Sequence, residues 1–203
     1  MKKLILLSFL VALIPAMVYG QDKVQAPVWN VGDRWVLGAD TVVTVASADQ
    51  STISLRYTIG GRDSIIVYEK PSLSRLYYMA KDKRINYEGK NKRLFNFPME
   101  IGKSWKVQYV EEPTRLGGKE TTYIETFTPL GWEDITVAAG KFKAVKLEYK
   151  QETVGAAAGQ PKEGKVFYWY SPDVKYMLKC QYEKSDYWEE TSDWELTAFK
   201  LKK

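Results

Sequence analysis

Histidine is absent from all 203 residues, and that one fact removes most familiar active-site chemistries. Ser-His-Asp and Cys-His nucleophilic sites, His-ligated zinc and a histidine pH switch all need the imidazole. Cys180 is the only cysteine, so no intramolecular disulfide can form. It alternates with Tyr176, Leu178 and Tyr182 against Lys175, Lys179 and Gln181, the pattern of a small core residue on a half-buried strand. A reactive thiol would want basic, partly exposed surroundings.

Other groups hold chemistry-bearing residue types in patterns that read as structural. Gly102-Lys103-Ser104 looks like the end of a phosphate-binding loop, but Phe97 stands where that loop needs its first Gly, and a strand pattern follows instead of a helix. Gly140-Lys141-Phe142 fails the same way, so nucleotide binding is not expected. Asp186, Glu189, Glu190, Asp193 and Glu195 carry carboxylates, yet Tyr187, Trp188 and the lack of a bend Gly spoil a calcium loop. A glycosidase-like pair among them would be visible only in the fold. Lys81, Lys83, Arg84, Lys90, Lys92 and Arg93 surround Tyr87 and precede Phe95, a mixture that can bind nucleic acid. In an exported chain it reads as a solvated hairpin, with anionic glycan or lipid headgroups as the alternative contact.

Seven Trp and fourteen Tyr make aromatics the excess in the composition; they serve either a large β core or a binding surface. The sharpest instance is Val166-Phe167-Tyr168-Trp169-Tyr170, where both faces of a strand are apolar or aromatic. Phe167 and Trp169 point one way; Val166, Tyr168 and Tyr170 point the other. One set packs in the core and the other needs a cover: a second protein layer, a barrel interior or a ligand. Tyr168 and Tyr170 are the expected ligand wall, since their hydroxyls tolerate a wet rim.

The elements that must position these residues are strands. Period-2 apolar runs, bounded by Gly, Pro, Asn or Asp, cover 41–46, 52–59, 64–68, 73–79, 104–110, 121–128, 141–153, 165–170, 175–182 and 193–201. Turns are expected at Gly60-Gly61, Glu88 to Asn91, Gly117-Gly118, Ala139-Gly140 and Ser171-Pro172-Asp173, with a flexible hairpin tip over 155–164. Short, regular spacing argues for an antiparallel meander.

The first twenty residues read as a signal peptide: Lys2 and Lys3, an apolar run to Ile14, then Val18-Tyr19-Gly20 at the cleavage point. The apolar run is short for a membrane span. Cleavage leaves 21–203 as a single all-β domain, and the formal charge of +5 falls by the two lysines to +3, a weak hint of anionic partners.

Four stretches resemble a family. Trp29-Asn30-Val31-Gly32-Asp33-Arg34-Trp35, Phe97-Pro98-Met99-Glu100-Ile101-Gly102-Lys103-Ser104-Trp105, Ile135 to Lys146 around Ala139-Gly140, and Tyr168-Trp169-Tyr170-Ser171-Pro172-Asp173-Val174 are similar to the recurring blocks of uncharacterised exported bacterial β proteins, the TapB-like family. Ala138 and Asp173 depart from the pattern at turns, where Pro and Gly are the usual residues. The resemblance implies an all-β exported domain and no assigned activity. By fold analogy alone, the half-barrel carriers of bacterial lipoproteins are a remoter likeness.

The expected fold is therefore all-β, a single antiparallel meander forming a strongly curved sheet or open barrel after the signal peptide. The expected function is non-enzymatic binding of an apolar or amphipathic ligand in a concave aromatic face, in the periplasm or outside the cell. The partner would be lipid, a lipidated protein or a glycan, with no cofactor, metal, nucleotide or nucleic acid. The rivals are a docking module for an envelope protein or polysaccharide, and a carboxylate-dependent hydrolase.

Overall fold

The structure, a computed structural model, describes residues 23–70, 73–80, 83–86, 93, 95–111, 121–154, 163–183 and 193–203. The proposed signal peptide lies outside them. So do most of the basic hairpin (Lys81, Tyr87, Lys90, Lys92), the Gly117-Gly118 turn, the 155–162 part of the hairpin tip, and Asp186, Glu189 and Glu190.

Every regular element among the described residues is a strand. The N-terminal half contributes β1 (Lys23–Val24), β2 (Arg34–Leu37), β3 (Thr41–Ala48), β4 (Thr52–Ile59), β5 (Arg62–Glu69), β6 (Ser74–Ala80) and β7 (Lys83–Asn86). The C-terminal half contributes β8 (Met99–Glu100), β9 (Trp105–Glu111), β10 (Thr121–Val137), β11 (Gly140–Val154), β12 (Glu163–Ser171), β13 (Tyr176–Tyr182) and β14 (Trp194–Lys200). Twelve of them form one antiparallel sheet in the order β7-β6-β5-β4-β3-β2-β14-β13-β12-β11-β10-β9, open at its β7 and β9 edges. The N-terminal meander runs from the middle outward and the C-terminal one from the β9 edge inward, so that the pairing of β14 with β2 joins the two.

Local chemistry explains the strands. Gly60 and Gly61 sit at φ of 53° and 75°, the two positive values a tight hairpin between Ile59 and Arg62 requires. The β10–β11 turn falls one residue earlier than its Gly suggested: Val137 pairs Gly140, so Ala138 and Ala139 make the turn. Glu163 and Gly164 belong to β12, paired with Glu152 and Gln151, and the hairpin tip is correspondingly shorter. The short strands β1, β2, β7 and β8 escaped sequence pattern because two to four residues carry no readable alternation.

Bulges supply bending. Register shifts fall between Val45 and Ser47, Val67 and Tyr68, Pro129 and Gly131, Trp169 and Tyr170, and Leu196 and Ala198. The two halves consequently face each other across a common core, which includes Trp35, Val43, Ile53 and Tyr68 from one and Val145, Leu147, Tyr170 and Leu178 from the other. Trp35 is fully buried, stacks on Tyr176 at 4.7 Å and donates its Nε1 to the Val174 carbonyl at 2.8 Å. Deleting such a ring costs about 3–5 kcal/mol.

The turn after β12 is clamped by a buried carboxylate. Asp33 is 0 % exposed; its Oδ2 accepts from Asn30 N at 3.0 Å and Lys175 Nζ at 3.1 Å, and its Oδ1 from Lys202 N at 2.6 Å. Trp29 Nε1 donates to the Lys175 carbonyl at 3.0 Å, and Lys175 is held at φ 62°. These contacts fix residue 175 in a conformation that a non-Gly residue otherwise avoids.

Candidate functional site

The inner face of the sheet, the side the two halves turn toward each other, is built from residues directly opposed in the ladders, which share a face. Across β9 to β14 these are Trp105, Phe127, Tyr149, Val166, Tyr182, Tyr168, Cys180 and Trp194, linked in register row by row. Phe127, Tyr149, Val166 and Cys180 are buried as a second small core, with Trp105, Tyr168, Tyr182 and Trp194 half-buried around it. Trp105 stacks on Phe127 at 5.1 Å and 7°, and Tyr149 meets Tyr168 edge-on at 6.1 Å.

A carboxylate sits among these rings. Glu125 is 1 % exposed, and its Oε1 accepts from the Tyr109 hydroxyl at 2.7 Å and the Tyr149 hydroxyl at 2.9 Å. Tyr149 OH also lies 2.9 Å from Gln151 Oε1. A phenol has one proton, so turning the Gln151 amide over, to donate into the Tyr149 oxygen, satisfies both contacts. Burial, reinforced by the Glu125 charge, pushes the Tyr149 phenol far up, so it stays a donor.

A second polar station joins the two halves. Tyr57 OH on β4 is 3.0 Å from Tyr68 OH on β5 and 3.4 Å from Tyr176 OH on β13. Tyr68 is directly opposite Arg75 on β6. Tyr168 packs against both the main core that holds Tyr68 and Tyr176 and the small core that holds Tyr149. Burial raises its phenol well above the ordinary range, and Cys180, Tyr182 and Glu125 add to the effect. Tyr168 in turn helps raise Tyr176, a smaller contribution than burial. The inner face is thus aromatic, with one group of hydroxyls about Tyr57 and another about Glu125.

The two tyrosines singled out in the sequence separate. Tyr168 is half-buried and lies on this face. Tyr170 is fully buried and covered by the chain itself: Phe95 lies 5.1 Å from its ring and Phe97 5.7 Å. Its hydroxyl has no hydrogen-bond partner. The covering segment is held by β8, which pairs with β1 and puts Val24 and Met99 into the same core. The other face of β12 has a different cover. Trp169 is 5 % exposed and donates Nε1 to Glu133 Oε2 at 2.7 Å. Lys146 Nζ lies 5.0 Å over Phe167 and 5.1 Å over Trp169, Lys179 Nζ 5.0 Å over Trp169, and Lys165 Nζ 5.6 Å over Phe167. Lysine stems, with their ammonium groups on the ring faces, cover the second aromatic set.

The remaining sequence candidates take structural places. Cys180 is fully buried, and burial pushes its thiol up to about 12. Asp193 accepts from Tyr182 N at 2.8 Å and Glu195 from Ala138 N at 3.3 Å, so each braces a strand end. Lys103 pairs with Glu100, and Gly102 N donates to the Pro129 carbonyl at 2.7 Å, with strand β9 following. Arg84 lies 4.0 Å over the Tyr77 ring, and Arg93 bridges to Ser74. Among the described residues no cluster of three or more Asp, Glu or Cys is arranged to hold a metal, and no helix is long and apolar enough to cross a membrane.

No family model matches the chain, and no curated protein matches it in sequence. Three solved structures align over most of it. One is a protein described as exported, with a YmcC-like fold, from Bacteroides fragilis (13% identity, 87% of this chain and 99% of that one, TM-score 0.49). The others are a protein described as a lipoprotein from Parabacteroides distasonis (14%, 89% and 100%, 0.46) and the hypothetical lipoprotein YmcC from Escherichia coli (12%, 84% and 83%, 0.45).

The TapB-like resemblance therefore rests on its four sequence blocks, and the structure gives most of them one task. Trp29 and Trp35 of the first bond the carbonyls of Lys175 and Val174, beside and within the last; Phe97 of the second packs on Tyr170; and Ala139 of the third donates to the Leu196 carbonyl at 3.1 Å. They join segments far apart in the chain, the third within the C-terminal half. Sequence reasoning missed Glu125, Tyr57, Tyr68 and Arg75. For Glu125 a signal existed: Tyr123, Glu125 and Phe127 share one parity, putting a carboxylate on the aromatic face. For the Tyr57 group none did, because its members come from three strands brought together by folding.

Proposed function

We propose that this chain is an exported, non-enzymatic binding protein, processed after Gly20 to a single β domain, whose concave face takes an amphipathic ligand. The observation that carries the reading is the placement of Tyr168: a half-buried ring that packs against both cores, on a face where Trp105, Tyr182 and Trp194 also stay half-buried around the buried Phe127 and Tyr149. A ligand with an apolar body and a polar head suits a surface of ring faces crossed by hydroxyls. The binding wall is assigned to Tyr168 with Trp105 and Tyr182. Tyr170 serves beneath it, since Phe95 and Phe97 already cover its ring. Docking of an envelope partner through exposed tryptophan is less well supported, because each tryptophan among the described residues is buried or half-buried.

The test is titration of the mature protein with a fluorescent fatty-acid probe. Wild type should bind saturably, and Tyr168→Ala should weaken binding several-fold while the protein stays folded. Absence of saturable binding of any apolar or amphipathic probe by wild type would overturn the reading.

A further inference from the structure

The Tyr57 station is a cluster of donors. A phenol hydroxyl both donates and accepts, and Tyr57 OH stands within reach of Tyr68 OH at 3.0 Å and, more loosely, of Tyr176 OH at 3.4 Å. Burial holds the Tyr57 and Tyr176 phenols above their ordinary range, so both stay protonated. Arg75, opposite Tyr68 in the ladder, adds a guanidinium that remains cationic at any working pH. Its charge reaches both Tyr57 and Tyr176, where it opposes the upward push of burial. Tyr57 and Arg75 are half-buried, while Tyr68 and Tyr176 are buried and give the cluster a fixed floor. Tyr176 is braced by Trp35, stacked on it at 4.7 Å. The Glu125 carboxyl, whose Oε1 already accepts from Tyr109 and Tyr149, is an acceptor and offers an anion no such donors.

We infer that the Tyr57, Tyr68 and Tyr176 hydroxyls together with the Arg75 guanidinium receive the anionic head, a carboxylate or phosphate, of an amphipathic ligand whose apolar body lies toward Tyr168. This rests on the proposed binding function and names the class of ligand it takes. An oxygen anion among these groups would be met by O–H donors and a fork of N–H donors, the charge-assisted bonds that discriminate most strongly against a neutral head.

The experiment compares a fluorescent C16 fatty acid, the matching C16 alcohol and the matching monoalkyl phosphate, titrated into the mature protein and into Arg75→Met and Tyr57→Phe. Thermal melts run alongside check that each variant is folded. Wild type should bind the acid or the phosphate about tenfold or more tightly than the alcohol. Arg75→Met should erase that preference by bringing acid and phosphate binding down to about the level of the alcohol, and Tyr57→Phe should reduce it part of the way. Arg75→Lys, which keeps the charge without the fork, should retain some preference and serves if Arg75→Met does not fold. The relative affinities of acid and phosphate identify which head the site takes. Equal binding of all three probes by wild type, or an undiminished preference in a folded Arg75→Met, would overturn the head-group assignment and leave the binding function standing. Binding of none would overturn both.

Discussion

Tyr170→Phe should make the protein more stable, the opposite of what deleting a tyrosine hydroxyl usually does. The Tyr170 ring is fully buried between Phe95 and Phe97, and its hydroxyl meets no partner. A buried hydroxyl without a hydrogen bond costs about 1–3 kcal/mol, and replacement by phenylalanine removes that cost while keeping the ring contacts. Burial also raises this phenol above its ordinary range with no opposing contribution, as expected where nothing stabilises either form by hydrogen bonding. For a chain of this length each kcal/mol corresponds to about 2–4 °C in Tm. With an m value of about 2 kcal/mol/M in urea, it also corresponds to about 0.5 M in the unfolding midpoint. The assay is equilibrium urea unfolding of mature wild type and variant, requiring equal m so that the midpoint shift reports stability. Tyr149→Phe is the control: its hydroxyl donates to a buried carboxylate, so the same chemical change should cost about 1.5–3 kcal/mol. If Tyr170→Phe lost about 1 kcal/mol or more, the hydroxyl would have a partner and the argument from its burial would fail.

Asp33→Asn should destabilise by about 2–4 kcal/mol, because it leaves the Lys175 ammonium facing a neutral amide in a buried setting; combining it with Lys175→Met should recover part of the loss in a double-mutant cycle, and additive losses would disprove the coupling. Cys180 should label slowly with a thiol reagent at pH 8 when native and rapidly in denaturant. Its thiol, raised from an ordinary value near 9 to about 12, stabilises the fold fully below pH 9, and that contribution should fade as pH rises from 9 to 12, read as a decline absent from Cys180→Ala. Asp49 carries a carboxyl lowered to about 2, chiefly by the Thr52 hydroxyl and the Thr52 and Ser51 amides, so its share in stability should persist above pH 4 and fade toward pH 2; an NMR titration giving Asp49 an ordinary carboxylate value would contradict this.

Much of the secondary structure is legible because period-2 alternation is a local signal. Val145, Leu147 and Tyr149 face inward and Lys146, Glu148 and Lys150 outward, as their spacing alone requires. The lack of histidine and the solitary Cys180 likewise decide which chemistries the chain lacks, since composition needs no geometry. The doubled aromatic pattern of 166–170 correctly demands two covers, and it cannot say what they are. Tertiary structure decides that: lysine stems from β11, β12 and β13 cover Phe167 and Trp169, and Phe95 and Phe97, some seventy residues upstream, cover Tyr170. A register shift between Trp169 and Tyr170 also skips Leu178, so the inward set assumed for β13 does not run straight through. The polar stations are still further from sequence. Tyr57, Tyr68 and Tyr176 meet because the sheet bends until β13 faces β4 and β5, and a contact between residues 119 apart is set by that curvature rather than by any spacing along the chain.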